Sequence, residues 1–233
     1  DVGSDLSGDA SDPSRGGRHP LPPLRQFART LGQLGIGPDT SVVVYDDAGG
    51  AMAAARAWWM LRAVGHEKVW VLDGGLSAAI DAGHVLTKDT PTRMPFAPYP
   101  VRGWKPDPIT MEEVERNTRD PSFCLIDVRA ELRYRGEVEP LDPTPGHIPG
   151  AINIPLANNL DERGRFQSRG TLRLLYASAL GDTAMENVVV SCGSGITACH
   201  TLLALEHAGL RGARLFVGSY SEWCRSGRPV ERP

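Results

Sequence analysis

The chain lacks the features that mark membrane, nucleic-acid-binding or zinc proteins. Its 233 residues include four cysteines, with no Cys-x-x-Cys pair and no zinc-ligand spacing. Its apolar runs are too short to span a bilayer, and we expect no signal peptide because no basic-then-apolar stretch opens the sequence. The net charge of −3 gives no electrostatic support for binding nucleic acid or an anionic membrane. We therefore expect an ordinary soluble globular protein without a metal.

Against this plain background, the segment of residues 192–200, Cys-Gly-Ser-Gly-Ile-Thr-Ala-Cys-His, is unusual. It follows the β-branched run 188–191 and precedes an Ala- and Leu-rich stretch. That order predicts a buried strand, a Gly-rich loop and a helix, with Cys192 where the strand ends. Backbone N–H groups of such a loop point at the sulfur and favour the nucleophilic thiolate. The alternative is an inert buried cysteine, which needs no flanking glycines.

The second half alternates strand and helix patterns, which predicts an α/β fold with a mostly parallel sheet. The predicted strands are residues 123–128, 151–154, 187–191 and 214–217, and the predicted helices are residues 130–135, about 170–180, 197–209 and 219–226. The first half repeats part of this pattern, since residues 42–47 align with 188–193. A repeat at so large a spacing predicts two related domains.

Between the halves lies a Pro-rich stretch, in which no helix or central strand is expected. Its prolines are Pro91, Pro95, Pro98, Pro100, Pro106 and Pro108. We predict a first domain over residues 1–87, a semi-rigid linker over 88–108 and a second domain over 109–233. Thr110 and Glu113 form a predicted capping box that begins the next helix.

The loop from Cys192 to Thr197 resembles the active-site loop of the rhodanese superfamily, and the turn of residues 147–151 resembles a second landmark of that family. The neutral Cys-Gly-Ser-Gly-Ile-Thr form is similar to that of members that use 3-mercaptopyruvate. The resemblance implies two rhodanese-like domains, each a mostly parallel sheet flanked by helices, with the first lacking its opening strand–helix–strand unit. It also implies transfer of sulfane sulfur from 3-mercaptopyruvate or thiosulfate to cyanide, a thiol or thioredoxin through a Cys192 persulfide, without a cofactor.

The same resemblance implies roles for further residues. Ser194 would help to protonate the leaving enolate, and its His partner would come from the first-domain turn that this chain lacks. Arg133 would bind the anionic group of the donor. Mercaptopyruvate enzymes typically carry another arginine where this chain has Asp142, and Arg135 could substitute for it. The remaining loop positions expected to line the substrate site are Gly193, Gly195, Ile196 and Thr197, with Thr197 capping the following helix.

In the first half, Asp46 stands at the place of the nucleophile. A carboxylate within a ring of N–H donors cannot carry sulfane sulfur, so we expect this copy to be inactive. Arg56 could face the interdomain cleft, whereas Trp58 and Trp59 are expected to pack in the core. Packing or structural roles are also expected for His147, Cys124, Cys199, and the pair Asp127 and Arg129, while Trp223 could equally wall the pocket.

Three alternatives remain open from the sequence. A phosphatase of the same fold needs Cys-x5-Arg, and Ala198 stands at the arginine position, which disfavours it. A thiosulfate-preferring rhodanese and a non-catalytic scaffold are the other two. We expect a monomer. We also expect a cytoplasmic location, because a nucleophilic thiol must stay reduced.

Overall fold

In the computed structural model, which describes residues 1–89, 92 and 94–232, the first half forms a small α/β unit. Its sheet consists of two parallel strands, with Val42 aligned to Val69 and Val44 to Val71. The apolar face of the first helix supplies Phe27 and Leu31 to the core. In chain order, the elements are α1 (Leu24–Gln33), β1 (Val42–Val44), α2 (Ala53–Ala63), β2 (Val69–Val71) and α3 (Gly75–Asp81).

The second half forms a larger unit around a four-stranded sheet. Its elements are α4 (Met111–Asn117), β3 (Cys124–Asp127), α5 (Glu131–Tyr134), β4 (Ile152–Asn153), α6 (Arg169–Leu180), β5 (Val188–Ser191), α7 (Ala198–His207), β6 (Arg214–Leu215) and α8 (Ser219–Trp223). The strand order is β4-β3-β5-β6 and every pair is parallel. The predicted α/β fold with mostly parallel sheets is therefore confirmed.

The central strand β5 is buried on both faces, as its unbroken Val-Val-Val run predicts. Val189 packs into one hydrophobic cluster with Phe216 and Trp223. Val188 and Val190 point to the opposite face, into a larger cluster that also contains Trp59 of α2 and Leu205 of α7. That cluster runs through both units, and α2 packs against α7. A shared core thus fixes the first unit against the helix that follows the Cys192 loop.

The Pro-rich stretch forms no helix or named strand within its described residues and lies along the first unit. Tyr99 is buried and its N–H donates to the carbonyl of Ala28 at 2.9 Å, while Lys105 N–H donates to Ala63 at 2.7 Å. The Trp104 ring stacks on Trp59 at 6.2 Å. Pro91 lies outside the described residues.

Two predicted helix caps have different outcomes. The Thr110 hydroxyl accepts from Glu113 N–H and the Glu113 carboxylate accepts from Thr110 N–H, which confirms the capping box. Thr197 occupies the N-cap position of α7, but its side chain makes no capping hydrogen bond and its backbone is already helical. The prediction that its side chain caps α7 is therefore wrong. Among the described residues, the helices are all too short or too polar to cross a membrane.

Candidate active site

Cys192 follows β5 directly and opens the loop that leads into α7. Its side chain is 1% exposed. The N–H of Gly195 donates to Cys192 Sγ at 3.1 Å, and the Cys192 N–H donates to the Ser219 hydroxyl at 3.1 Å. Gly195 has a φ of +76°, and a methyl group there would collide with the Val217 carbonyl oxygen. The loop therefore needs glycine at this position to reach the sulfur.

Four further N–H groups of the loop have no recorded acceptor among the described residues. They belong to Gly193, Ser194, Ile196 and Thr197. Buried backbone donors are normally paired, so a row of unused donors indicates a place for an anionic ligand atom. The sequence predicted that several N–H groups point at the thiol, whereas one is within hydrogen-bond distance of it. The other four N–H groups of the loop have no recorded protein acceptor within the residues that the structure describes.

The equivalent loop of the first unit is filled by its own side chain. Asp46 Oδ1 accepts from the N–H groups of Ala48 at 3.0 Å and Gly50 at 2.6 Å. Its Oδ2 accepts from Met52 and Ala54, both at 3.0 Å. The predicted carboxylate in a ring of N–H donors is confirmed. The N–H groups of this loop in the first unit are therefore bonded to Asp46, whereas most of those in the Cys192 loop have no recorded acceptor in the described chain.

Ser194 and His19 form a hydrogen-bonded pair beside the cysteine. Ser194 Oγ and His19 Nδ1 are 2.8 Å apart, and Ser194 is buried. The expectation that the partner histidine is missing is therefore wrong, because the chain supplies one from the segment before α1. Burial lowers the pKa of His19, and the neighbouring Arg18 and Arg56 lower it further. At neutral pH the imidazole is therefore uncharged.

Arg56 joins the two units at the loop. Its fully buried guanidinium donates from Nη1 to the Gly195 carbonyl and from Nη2 to the His19 carbonyl, both at 3.1 Å. Burial lowers the pKa of Arg56, and the nearby thiols of Cys199 and Cys192 oppose that shift. The sequence predicted that Arg56 could face the interdomain cleft. The structure places it closer to the site, in direct contact with the Cys192 loop.

A cluster of arginines and carboxylates borders the other side of the loop. Arg133 donates to Glu139 at 2.7 and 3.2 Å and lies 3.6 Å from Asp142. Asp142 also pairs with Arg18 and, at 2.7 Å, with Arg225. The resemblance expects an arginine where this chain has Asp142. In the structure, Asp142 instead forms ion pairs with three arginines.

The remaining predicted site residues have varied surroundings. Ile196 is buried in the loop. Arg135 pairs with Glu131 at 3.3 Å and Glu137 at 3.6 Å on the surface, and no recorded contact joins it to the loop. Its role as a substrate cation stays a prediction. Sequence reasoning missed Arg18 and His19, although two glycines before a cation, a histidine and a proline are a usable sign of a tight loop.

Most structural predictions hold. Asp127 and Arg129 form a buried pair at 2.6 Å, and His147 stacks on Tyr134 at 3.8 Å. Burial raises the pKa of Cys199 to about 12, and its thiol donates to the Gly195 carbonyl at 3.3 Å. The buried residues Trp58, Trp59 and Trp223 belong to the hydrophobic clusters, and Cys124 and Cys224 are half-buried.

Comparison with known proteins agrees with this geometry. The rhodanese-like domain family matches residues 12–82 and 110–226. A probable 3-mercaptopyruvate sulfurtransferase of Pseudomonas aeruginosa is 42% identical over 97% of this chain and 80% of its own length. The human 3-mercaptopyruvate sulfurtransferase is 38% identical, and the rat thiosulfate sulfurtransferase is 37% identical, each over 91% of this chain and 72% of the relative.

Solved structures give the same result. The 3-mercaptopyruvate sulfurtransferase from Leishmania major superposes with a TM-score of 0.83 at 30% identity, over 98% of this chain and 63% of that one. The chain belongs to the rhodanese family, with a rhodanese-like match in each half. Some of these relatives are named for 3-mercaptopyruvate and others for thiosulfate, so the names alone do not identify the donor of this chain.

Proposed function

We propose that this protein is a sulfurtransferase that takes sulfane sulfur from 3-mercaptopyruvate and passes it to a thiophilic acceptor through a Cys192 persulfide. The observation that carries the proposal is the set of unused N–H donors around a buried cysteine, with the Ser194–His19 pair beside it. A persulfide carries a second, anionic sulfur at this loop, where unused N–H donors would stabilise it. A scaffold protein would have no need of them.

In the first half-reaction, the Cys192 thiol loses its proton to the Ser194–His19 pair, and the thiolate attacks the donor sulfur. The bond between that sulfur and C3 of mercaptopyruvate breaks, and its electron pair forms the enolate of pyruvate. Ser194 donates a proton to the enolate and is reprotonated through His19, which carries the proton from Cys192. Thiol and donor thus become persulfide and pyruvate, with no net proton taken up.

In the second half-reaction, an acceptor removes the outer sulfur and restores the thiolate. With cyanide the product is thiocyanate, and a thiol or thioredoxin are the other proposed acceptors. This ping-pong cycle requires neither metal nor cofactor. We propose that the protein works as a monomer in a reducing cytoplasm, since its four cysteines are free thiols, and without nucleic-acid or membrane partners.

Thiosulfate is the second candidate donor, supported by the similarity to the rat thiosulfate sulfurtransferase. Its leaving group is sulfite, which needs no proton. The partly buried Ser194–His19 pair can take the Cys192 proton with either donor, but its delivery of a proton to the leaving group is needed only with mercaptopyruvate, which favours that donor. We also propose that the two units are diverged copies and that the first lost sulfur transfer when Asp46 filled its loop.

The test is steady-state sulfur transfer to cyanide with each donor, for the wild type, Cys192→Ser and Cys224→Ser. The half-buried Cys224 is the matched control. Mercaptopyruvate turnover, together with one added sulfur atom on Cys192 by mass spectrometry, is expected for the wild type and Cys224→Ser and not for Cys192→Ser. Turnover with thiosulfate alone would reassign the donor. A folded wild type inactive with both donors would contradict the proposal.

A further inference from the structure

The segment of residues 16–19, called here the strap, crosses from the first unit onto α8. Gly16 N–H donates to the Glu222 carboxylate at 2.7 Å, and Arg18 N–H donates to the Ser221 hydroxyl at 3.0 Å. A methyl group on Gly17 would collide with the Gly218 backbone, so the strap lies directly on the second unit. The position of the Arg18 side chain is therefore set by the unit that holds Cys192.

The Arg18 and Arg133 guanidinium groups meet beside Gly193. A methyl group built on Gly193 would lie 3.1 Å from Arg18 Nη2 and 3.5 Å from Arg133 Nη1. Both side chains keep an opening to solvent, at 22% and 20% exposed, whereas their common anchor Asp142 is 0% exposed. The two arginines thus border the residue next to Cys192 and remain accessible from outside.

Each guanidinium has one terminal nitrogen left over. Arg18 uses Nη1 for Asp142, and Arg133 uses Nε and Nη2 for Glu139. For Arg18 Nη2 and Arg133 Nη1, no protein acceptor is recorded in the described part of the chain. Both lie near Gly193, as does Arg133 Nη2, which is already bonded to Glu139. Two N–H donors at one place match the two oxygens of a carboxylate.

The charges of the cluster define the ligand further. Four arginines, Arg18, Arg129, Arg133 and Arg225, surround three carboxylates, Asp127, Glu139 and Asp142, which leaves one formal positive charge. This excess of positive charge favours an anionic ligand in front of Gly193, and the two unused N–H donors match a carboxylate.

We propose that Arg18 is the second anion-binding residue of the donor site, and that with Arg133 it holds the single carboxylate of the donor in front of Gly193. Arg18 thereby takes the place of the arginine that the family resemblance expects at position 142, and Asp142 aligns both guanidinium groups. This inference rests on the proposed function for the identity of the donor. The anion site itself can be tested without turnover.

The test compares two reagents that alkylate Cys192, iodoacetate and iodoacetamide, which differ in their carboxylate. The ratio of their rates reports attraction for the carboxylate and cancels changes in thiol reactivity. We expect the iodoacetate-to-iodoacetamide ratio to fall about tenfold in Arg18→Gln, as for loss of one charge-assisted hydrogen bond, and to recover in part in Arg18→Lys. Arg133→Gln should lower the ratio similarly.

The matched control is Arg214→Gln, which removes one positive charge from a similarly exposed side chain that pairs with Glu113 at 3.4 Å, outside this cluster. Its ratio should change less than threefold. An Arg18→Gln ratio equal to that of the wild type, or no lower than that of Arg214→Gln, would overturn the assignment. If the ratio falls as expected but mercaptopyruvate is not turned over, the anion site stands and the proposed function fails. If mercaptopyruvate is turned over but the ratio does not fall, the proposed function stands and only the role of Arg18 is rejected.

Discussion

Arg56 Nη1 of the first unit donates to the Gly195 carbonyl oxygen of the second at 3.1 Å, and the N–H of that same glycine donates to the Cys192 sulfur. The unit without a nucleophile therefore holds the loop that surrounds the nucleophile of the other. Through its second bond, to the His19 carbonyl, Arg56 also fixes the chain that carries the histidine of the Ser194 pair.

We expect Arg56→Met to lower kcat at least tenfold while changing the free energy of unfolding by less than about 2 kcal/mol. Burying the guanidinium costs desolvation free energy that methionine does not incur, and this offsets the lost hydrogen bonds in the stability of the fold. The substitution therefore affects mainly the geometry of the loop. Arg62→Met is the control, because Arg62 makes a partly exposed pair with Glu206 at 3.4 Å. That variant should keep full activity and lose less than about 1 kcal/mol. Steady-state kinetics and urea unfolding measure both effects, and equal kinetic losses in the two variants would reject this view of Arg56.

The Ser194–His19 pair predicts a donor-dependent pH profile. Because the pKa of His19 lies below its usual value of 6.5, the imidazole is neutral above pH 6.5 and becomes charged as the pH falls through the lowered value. A protonated His19 cannot accept the proton that Cys192 must lose, so kcat with mercaptopyruvate should decline on the acid side. His19→Gln should lower that kcat about 100-fold and remove this acid limb.

Thiosulfate separates the two proton transfers of the His19 pair, since Cys192 must still lose its proton but sulfite leaves without one. In His19→Gln, thiosulfate turnover should therefore be reduced less than mercaptopyruvate turnover. Measuring kcat from pH 5 to 8 with both donors tests the relay. Equal losses with the two donors would mean that His19 does not deliver a proton to the leaving group.

Gly195→Ala should abolish activity and destabilise the fold by more than about 2 kcal/mol, because a side chain there combines a positive φ with a backbone collision. Gly164→Ala separates the two effects. Gly164 has a similar φ of +71°, but nothing lies within 4 Å of an added methyl group. That variant should lose about 1 kcal/mol and keep its kcat. Thermal unfolding and kinetics of both variants check this, and a similar result for the two would show that the close approach at Gly195 has little effect.

His200 should make the fold sensitive to acid. Burial lowers its pKa to about 4, and its ring stacks on Phe166 at 4.5 Å. The unfolded chain, with a pKa near 6.5, therefore binds a proton first. The contribution of neutral His200 to the free energy of unfolding is complete above pH 6.5 and is lost progressively as the pH falls towards 4. Between pH 7 and pH 5 this loss amounts to about 2 kcal/mol.

His200→Phe keeps a ring for stacking and removes the titration. We expect the free energy of unfolding of the variant to fall less than that of the wild type between pH 7 and pH 5. Urea unfolding at the two pH values measures the difference. Parallel losses in the two proteins would place the acid sensitivity elsewhere, for example at the buried His66, whose pKa burial also lowers.

Local sequence patterns were sufficient for the scaffold of the site. An unbroken valine run predicts a doubly buried strand, and a glycine-rich turn before an Ala- and Leu-rich stretch predicts the loop and helix around Cys192. The ring around Asp46 follows by the same reasoning, because a carboxylate at a strand end meets the same donors.

The charged and titratable partners could not be found in this way. His19 contacts Ser194 across 175 positions of sequence, and Arg18 reaches Asp142 across 124. The strap has no hydrophobic periodicity, so only the packing of the two units brings its side chains to the loop. Asp142 was misjudged for the same reason, since its meaning depends on three arginines that are distant in sequence.

The shared core between α2 and α7 has a consequence for how the site can be opened or divided. Arg18, His19 and Arg56 all reach Cys192 and its loop from one side of the contact between the units. Separating the units by a few ångströms would withdraw an anion-binding group, a proton carrier and a loop support together. A second unit isolated by proteolysis would keep its thiol and lose most of the chemistry around it. Catalysis is therefore a property of the joined pair.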